Sequence, residues 1–211
     1  MFAALLRAYG PQHWWPGDSR LEIIVGAVLT QNTNWRNVAR AIDNLRAHGL
    51  LDWPALLQAD DDLLEACIRP SGFHRVKLTR LRALLAYLEP YGPLHPRFST
   101  LPVETLRAEL LQVPGIGPET ADSILLYAFE RLTFVVDAYT RRLFARLGAV
   151  WMQRADYQAV RAHLMASLPS DLALYGEAHA LIVCHGKEHC RARPRCAGCV
   201  LLPHCLYARE A

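Results

Sequence analysis

Cysteine is unevenly distributed along this chain of 211 residues: five of the six, Cys184, Cys190, Cys196, Cys199 and Cys205, fall in the last 28 positions. The final four read Cys190-x5-Cys196-x2-Cys199-x5-Cys205, four thiols within 16 residues. Thiolates so spaced can converge on one inorganic centre. A disulfide framework would need an export signal, and Met1-Phe2-Ala3-Ala4-Leu5-Leu6 has neither the charged region nor the small-residue cleavage site of one. Zinc held by four cysteines usually takes two close C-x-x-C pairs with a longer loop between them. Here one C-x-x-C has wider arms on both sides, which favours an iron–sulfur cubane over a single ion and leaves zinc as the alternative. Cys67 stands alone and reads as a small buried hydrophobe, and Cys184 as a core residue at the end of a helical pattern.

Two further groups could do chemistry. In Val113-Pro114-Gly115-Ile116-Gly117-Pro118-Glu119-Thr120, two glycines permit positive φ and leave the backbone bare, while Pro118 suits the first turn of a helix. Successive N–H groups at such a helix start can bind a phosphate oxygen. A bare G-x-G would be an ordinary corner, but helix, V-P-G-I-G, helix is the helix-hairpin-helix motif that binds DNA backbone. Asp137 follows Gly117 by 20 residues, after the apolar Phe134-Val135-Val136. Alone it reads as a helix N-cap; placed beside a DNA-bound cleft it could do electrostatic work.

The elements that must position these groups are helical. Stripes at 3.6-residue spacing run through Val38, Ala41, Ile42 and Leu45; Leu78, Leu81, Leu85 and Leu88; Tyr157, Val160, Leu164 and Leu168; and Leu172, Tyr175, His179 and Ile182. Breakers at Pro54, Pro70-Ser71-Gly72, Pro90 to Pro96, the glycine hairpin and Pro169-Ser170 separate about ten helices. A helix over Leu101 to Leu111 enters the hairpin, and one with Ala121, Ile124, Leu125 and Ala128 on one face leaves it. No sustained alternation marks a sheet. With 52% hydrophobic and 20% charged residues, the chain can bury a core, which excludes disorder and low-complexity roles. Its apolar runs are too short to span a membrane, and a soluble, cytoplasmic protein is expected. Net charge is +3, and 21 of the 23 basic residues are arginine, only Lys77 and Lys187 being lysine. Amine nucleophiles are therefore scarce.

Leu29-Thr30-Gln31-Asn32-Thr33, Gly72-Phe73-His74, the hairpin, Val136-Asp137 and the cysteine tail after His185-Gly186 together resemble the endonuclease III family of helix-hairpin-helix DNA glycosylases. The resemblance spans essentially the whole chain. It implies an all-α fold: a six-helix barrel domain at residues 20–131, and a discontinuous domain at 1–19 and 132–211 that carries a C-terminal 4Fe-4S loop. It further implies a damaged base flipped out of double-stranded DNA into a cleft, Asp137 as the catalytic carboxylate, and Cys190, Cys196, Cys199 and Cys205 as cluster ligands. A monomer associated with the nucleoid through DNA is expected. Contacts to DNA would come from Gln31, Val113, Gly115, Gly117, Glu119 and Thr120, with Lys187, Arg191, Arg193 and Arg195 of the tail facing phosphates. Gln31 is placed like the residue that fills the gap left by a flipped nucleotide, and equally reads as a helix cap.

Glu119 stands where endonuclease III carries the lysine whose amine attacks the sugar C1′, and a carboxylate cannot form that Schiff base. Lys77 reads as a solvated or phosphate-facing charge rather than a substitute amine. Trp14-Trp15-Pro16, Val28 to Thr33, Arg69 to Phe73 and Ala121 to Leu125 are similar to the endonuclease III-like 3-methyladenine DNA glycosylases, which are monofunctional and grip the base with aromatic rings. That resemblance implies a base pocket of Trp14, Trp15 and Trp35, suited to a cationic alkylated purine. Ala138 replaces a lysine found in that subfamily. The alternatives are a bifunctional oxidised-pyrimidine glycosylase with abasic-site lyase activity, and a lesion-binding protein that has lost catalysis.

Overall fold

In the computed structural model, which describes residues 1–210, the regular elements are helical and no strand occurs among those residues. Among the described residues thirteen α-helices are present, where periodicity suggests about ten. The additional ones include α4 (Trp53–Gln58), α7 (Arg97–Thr100) and α13 (Leu206–Glu210), too short to show a repeated stripe. Two compact units result: residues 15–131, and residues 1–14 together with the chain from Leu132 onward.

The first unit is built on α2 (Arg20–Leu29), whose Leu21, Ile24, Val25, Ala27, Val28 and Leu29 are all buried. A helix that is apolar from Ile23 to Leu29 belongs at the centre of a core, and its buried Glu22 is paired with Arg46 at 3.0 Å. Ser19 starts it by accepting a hydrogen bond from the Glu22 N–H at 3.1 Å. Around it pack α3 (Trp35–Ala47), α6 (His74–Leu88) and a π-helical turn at Ile124–Ala128. The stripes expected on α3 and α6 are the faces they bury. Next to α3 lies α5 (Asp61–Ile68), which contributes the buried Cys67. The expected helix before the hairpin is α8, running over Val103–Gln112 rather than from Leu101, and α9 (Pro118–Ser123) leaves the hairpin and passes into the π turn.

In the second unit, α1 (Phe2–Tyr9) lies on α12 (Leu172–Glu188). Residues 133–136 are buried outside any helix; the Val136 N–H donates to the Tyr157 hydroxyl at 3.2 Å, and Arg161 donates to the Thr133 hydroxyl at 2.7 Å. Both partners belong to α11 (Tyr157–Ser167), which thereby anchors the approach to α10 (Ala138–Arg146). The last of these packs on α12 and α13. Asp137, Asp156 and Asp171 each cap the helix that follows.

Candidate active site and cysteine cavity

The hairpin follows from three residues. Pro114 pre-sets φ, Gly115 adopts φ +84°, and the Ile116 N–H donates to the Val113 carbonyl at 3.0 Å: a type II turn with proline and glycine in their required places. Val113 and Ile116 point into the core, so any contact of Val113 with DNA is through its main chain. A Cβ on Gly115 would collide with Arg80, 2.8 Å from Cδ. A Cβ on Gly117 would meet nothing within 4 Å, and its φ of −88° is open to any residue. The fold itself therefore demands glycine at 115 but not at 117. The helices on either side are clamped by a buried bidentate pair, Arg107 Nε to Asp122 Oδ1 at 2.9 Å and Nη2 to Oδ2 at 3.2 Å.

Gln31 is tied to this turn. Its Nε2 donates to the Gly115 carbonyl at 3.2 Å and to the Thr120 hydroxyl at 3.0 Å, and its Oε1 accepts from Arg80 at 2.5 Å. It does not cap a helix in this state. Gln31, Arg80, Gly115, Gly117, Glu119 and Thr120 line one open pocket, with Glu119 on its exposed rim. Sequence reading misses Arg80, because an arginine on a basic helix carries no local mark of its partner 49 residues away. It also leaves Phe73 without a role. Phe73 is 70% exposed and left-handed at φ 47°, an uncommon backbone for an aromatic residue.

Lys77 is a correction: it is 1% exposed, and its ammonium donates to the carbonyls of Leu29 at 2.8 Å and Ser71 at 2.6 Å. The ammonium's three donors meet the carbonyl at the end of α2 and the one in the turn before α6, which keeps the buried charge hydrogen-bonded. Burial, and secondarily the charge of Arg80, lower its pKa to about 8.

Asp137 caps α10, Oδ1 accepting from the Thr140 N–H at 2.7 Å, while Oδ2 lies 3.6 Å from Nε2 of His179. Burial opposes its ionisation, but His179 and the Thr140 amide outweigh burial and hold the carboxyl below its ordinary value. His179, buried on α12, reads from sequence only as part of an apolar stripe; its distance from Asp137 along the chain hides the pairing.

Of the three tryptophans, Trp15 and Trp35 meet edge to face at 5.3 Å between centroids, and Tyr127 joins them 5.5 Å from Trp15. Gly26 makes room for Trp15: a Cβ there would lie 3.2 Å from the indole nitrogen. Trp14 belongs to the other unit, with the Lys187 ammonium 5.6 Å from its ring centre.

Cys190, Cys196, Cys199 and Cys205 line a single cavity closed by Leu143, Leu147, Leu201 and Tyr207; Cys184 stays outside it, half-buried on α12. Arg146 donates to Cys190 Sγ at 3.3 Å and to the Arg191 and Ala192 carbonyls, and Arg142 to the Cys190 carbonyl at 2.7 Å. His185 Nε2 is 3.7 Å from Cys199 Sγ. Burial and the neighbouring His189 push the pKa of His185 down to about 4. Burial chiefly, with the other three thiols adding to it, raises Cys199. Among the described residues no three His, Cys, Asp or Glu side chains group tightly enough to hold one ion. In the basic tail, Lys187, Arg193 and Arg195 are exposed, while Arg191 donates to the Lys187 carbonyl at 2.5 Å near the end of α12.

An all-helical chain with a glycine hairpin and a following buried aspartate belongs to the helix-hairpin-helix class. Residues 25–170 match the model of the HhH-GPD superfamily base excision DNA repair protein, and the chain belongs to that superfamily. A putative DNA repair glycosylase of Methanocaldococcus jannaschii is 46% identical to it, across 98% of this chain and 94% of that protein. The crystal structure of the 3-methyladenine DNA glycosylase of H. pylori bound to 1,N6-ethenoadenine matches with a TM-score of 0.69 at 30% identity, covering 88% of this chain and 93% of that one. A non-covalent endonuclease III–DNA complex shares the fold at a TM-score of 0.80 and 23% identity, over 99% and 94% of the two chains. No helix among the described residues is long and apolar enough to cross a membrane.

Proposed function

We propose that this protein is a monofunctional DNA glycosylase that hydrolyses the bond between deoxyribose and an alkylated purine in double-stranded DNA. The observation that carries the reading is the state of Asp137, a buried carboxylate kept ionised by His179 and a helix amide. Such a group stabilises the positive charge that develops on the sugar as the base departs, and orients the water that replaces it. The monofunctional reading is supported by Glu119 at the place of the endonuclease III lysine and by Lys77, whose amine is committed to two carbonyls. The hairpin supplies the grip on the DNA backbone, its main-chain N–H groups approaching a phosphate across the bare Gly117. An unhindered glycine with an ordinary φ makes sense where another backbone must come close. Phe73, exposed at the N-cap of α6, suits an apolar wedge between base steps.

The Trp15–Trp35–Tyr127 cluster supports a cationic purine as substrate, since electron-rich faces attract its charge, and the H. pylori relative is a 3-methyladenine glycosylase. Cys190, Cys196, Cys199 and Cys205 fit a 4Fe-4S cluster: four thiols surround one apolar-walled cavity without closing on a single ion. Bound there, the cluster would brace the tail that carries Arg193 and Arg195. We assign the protein as a monomer acting in the compartment that holds the genome. The test is base release from duplexes containing alkylated purines, oxidised pyrimidines, uracil or an abasic site, scored with and without alkali. Breaks at alkylated purines that require alkali are expected. Alkali-independent breaks and a borohydride-trapped adduct would establish a lyase instead, and binding without release would establish a lesion-binding protein.

A further inference from the structure

We propose that Tyr9 and His185 form a relay that fixes an N–H···S hydrogen bond onto Cys199, and thereby raises the reduction potential and the oxidative stability of the cluster. The inference rests on the iron–sulfur reading of the cysteine cavity. His185 is 1% exposed on α12 and lines that cavity. One ring nitrogen, Nε2, faces Cys199 Sγ at 3.7 Å; the other, Nδ1, is 2.8 Å from the Tyr9 hydroxyl. A cluster-bound cysteine is a thiolate and can only accept. The ring N–H that meets this sulfur must therefore sit on Nε2, and the tautomer with its proton there presents Nδ1 as the acceptor for the Tyr9 hydroxyl. The phenol thus selects the tautomer that the sulfur requires. Packing of α1 on α12 holds it in place.

The four sulfurs are treated differently. Cys190 Sγ receives a charged guanidinium N–H from Arg146, whereas Cys199 Sγ faces an imidazole ring whose orientation is set from the N-terminal helix. Hydrogen bonds to ligand sulfur withdraw electron density from the irons and raise the potential. Tyr9 and His185 are positioning residues and touch no substrate.

Tyr9→Phe in the full-length, cluster-loaded protein is the direct test, since it keeps the ring and removes only the hydroxyl. Iron and sulfide per chain, melting temperature and the midpoint potential by voltammetry are measured together. The expected result is full iron content, unchanged melting and a lower potential, with the oxidised-to-reduced ratio shifted up to about tenfold, equivalent to about 59 mV for one electron. Under ferricyanide the visible absorption of the cluster should fade several-fold faster. His185→Gln, whose amide can still donate, should restore most of the potential that His185→Leu loses. Wild-type potential and fading rate in Tyr9→Phe would overturn the proposal, whether or not His185→Leu folds. A wild-type protein that holds zinc and no iron would overturn the cofactor reading, and the relay with it.

Discussion

Asp137 combines two jobs that substitution can separate. As an N-cap it orders α10, and asparagine caps equally well, so Asp137→Asn should still fold, with a melting temperature lowered only by the lost interaction of the carboxylate with His179. As a carboxylate it would stabilise charge at the sugar, so the same variant should lose base release by about 10²–10³-fold and still bind DNA. Because its pKa is depressed, the ionised form is fully present above the ordinary carboxylate range and is lost only as pH falls through the lower folded value. The two hairpin glycines separate in the same way. Gly115→Ala forces φ +84° on a residue with a Cβ and drives it into Arg80, with an expected cost of about 1–3 kcal/mol in urea unfolding. Gly117→Ala should unfold like wild type and lose DNA affinity, which gel shifts would measure.

At the scale of elements, α8 and α9 are held across the hairpin by Arg107 and Asp122, both buried. Asp122→Ala leaves a guanidinium in the core without that partner and should destabilise by about 3–5 kcal/mol, read as a shift in the unfolding midpoint. Lys77 joins the end of α2 to the turn before α6. Its folded pKa of about 8 lies below the ordinary lysine value of 10.5, so between those values the unfolded chain binds more protons than the folded one. Stability from this group therefore rises with pH across that window. Lys77→Met lacks the titration, and the stability gap between wild type and variant should widen in favour of wild type from pH 8 to 10.5.

For the whole molecule, the exposed Arg193 and Arg195 of the tail are offered as phosphate contacts that add to the salt dependence of DNA binding. Binding to undamaged duplex should weaken steeply with salt, and Arg193→Ala should reduce the slope of log K against log salt by about 0.9 if that guanidinium neutralises one phosphate. An unchanged slope would remove Arg193 from the interface.

Helical class, the hairpin and the cysteine array were legible in the sequence because each is local. Val113-Pro114-Gly115-Ile116 dictates its turn through proline and glycine backbone preferences, the stripes on α3 and α6 dictate their buried faces, and three short spacings bring four thiols around one cavity. Short helices escaped notice because four to six residues hold no period to read. Tertiary structure alone decided the partners: His179 beside Asp137, Arg80 on Gln31, Tyr127 with the tryptophans, Tyr9 on His185. It also reversed the reading of Lys77, whose charge suggested solvent and whose amine is spent on two carbonyls in the core. Propensity and spacing act within a few residues of the chain, whereas burial and hydrogen-bond pairing join residues up to 176 positions apart and exist only once the helices have packed.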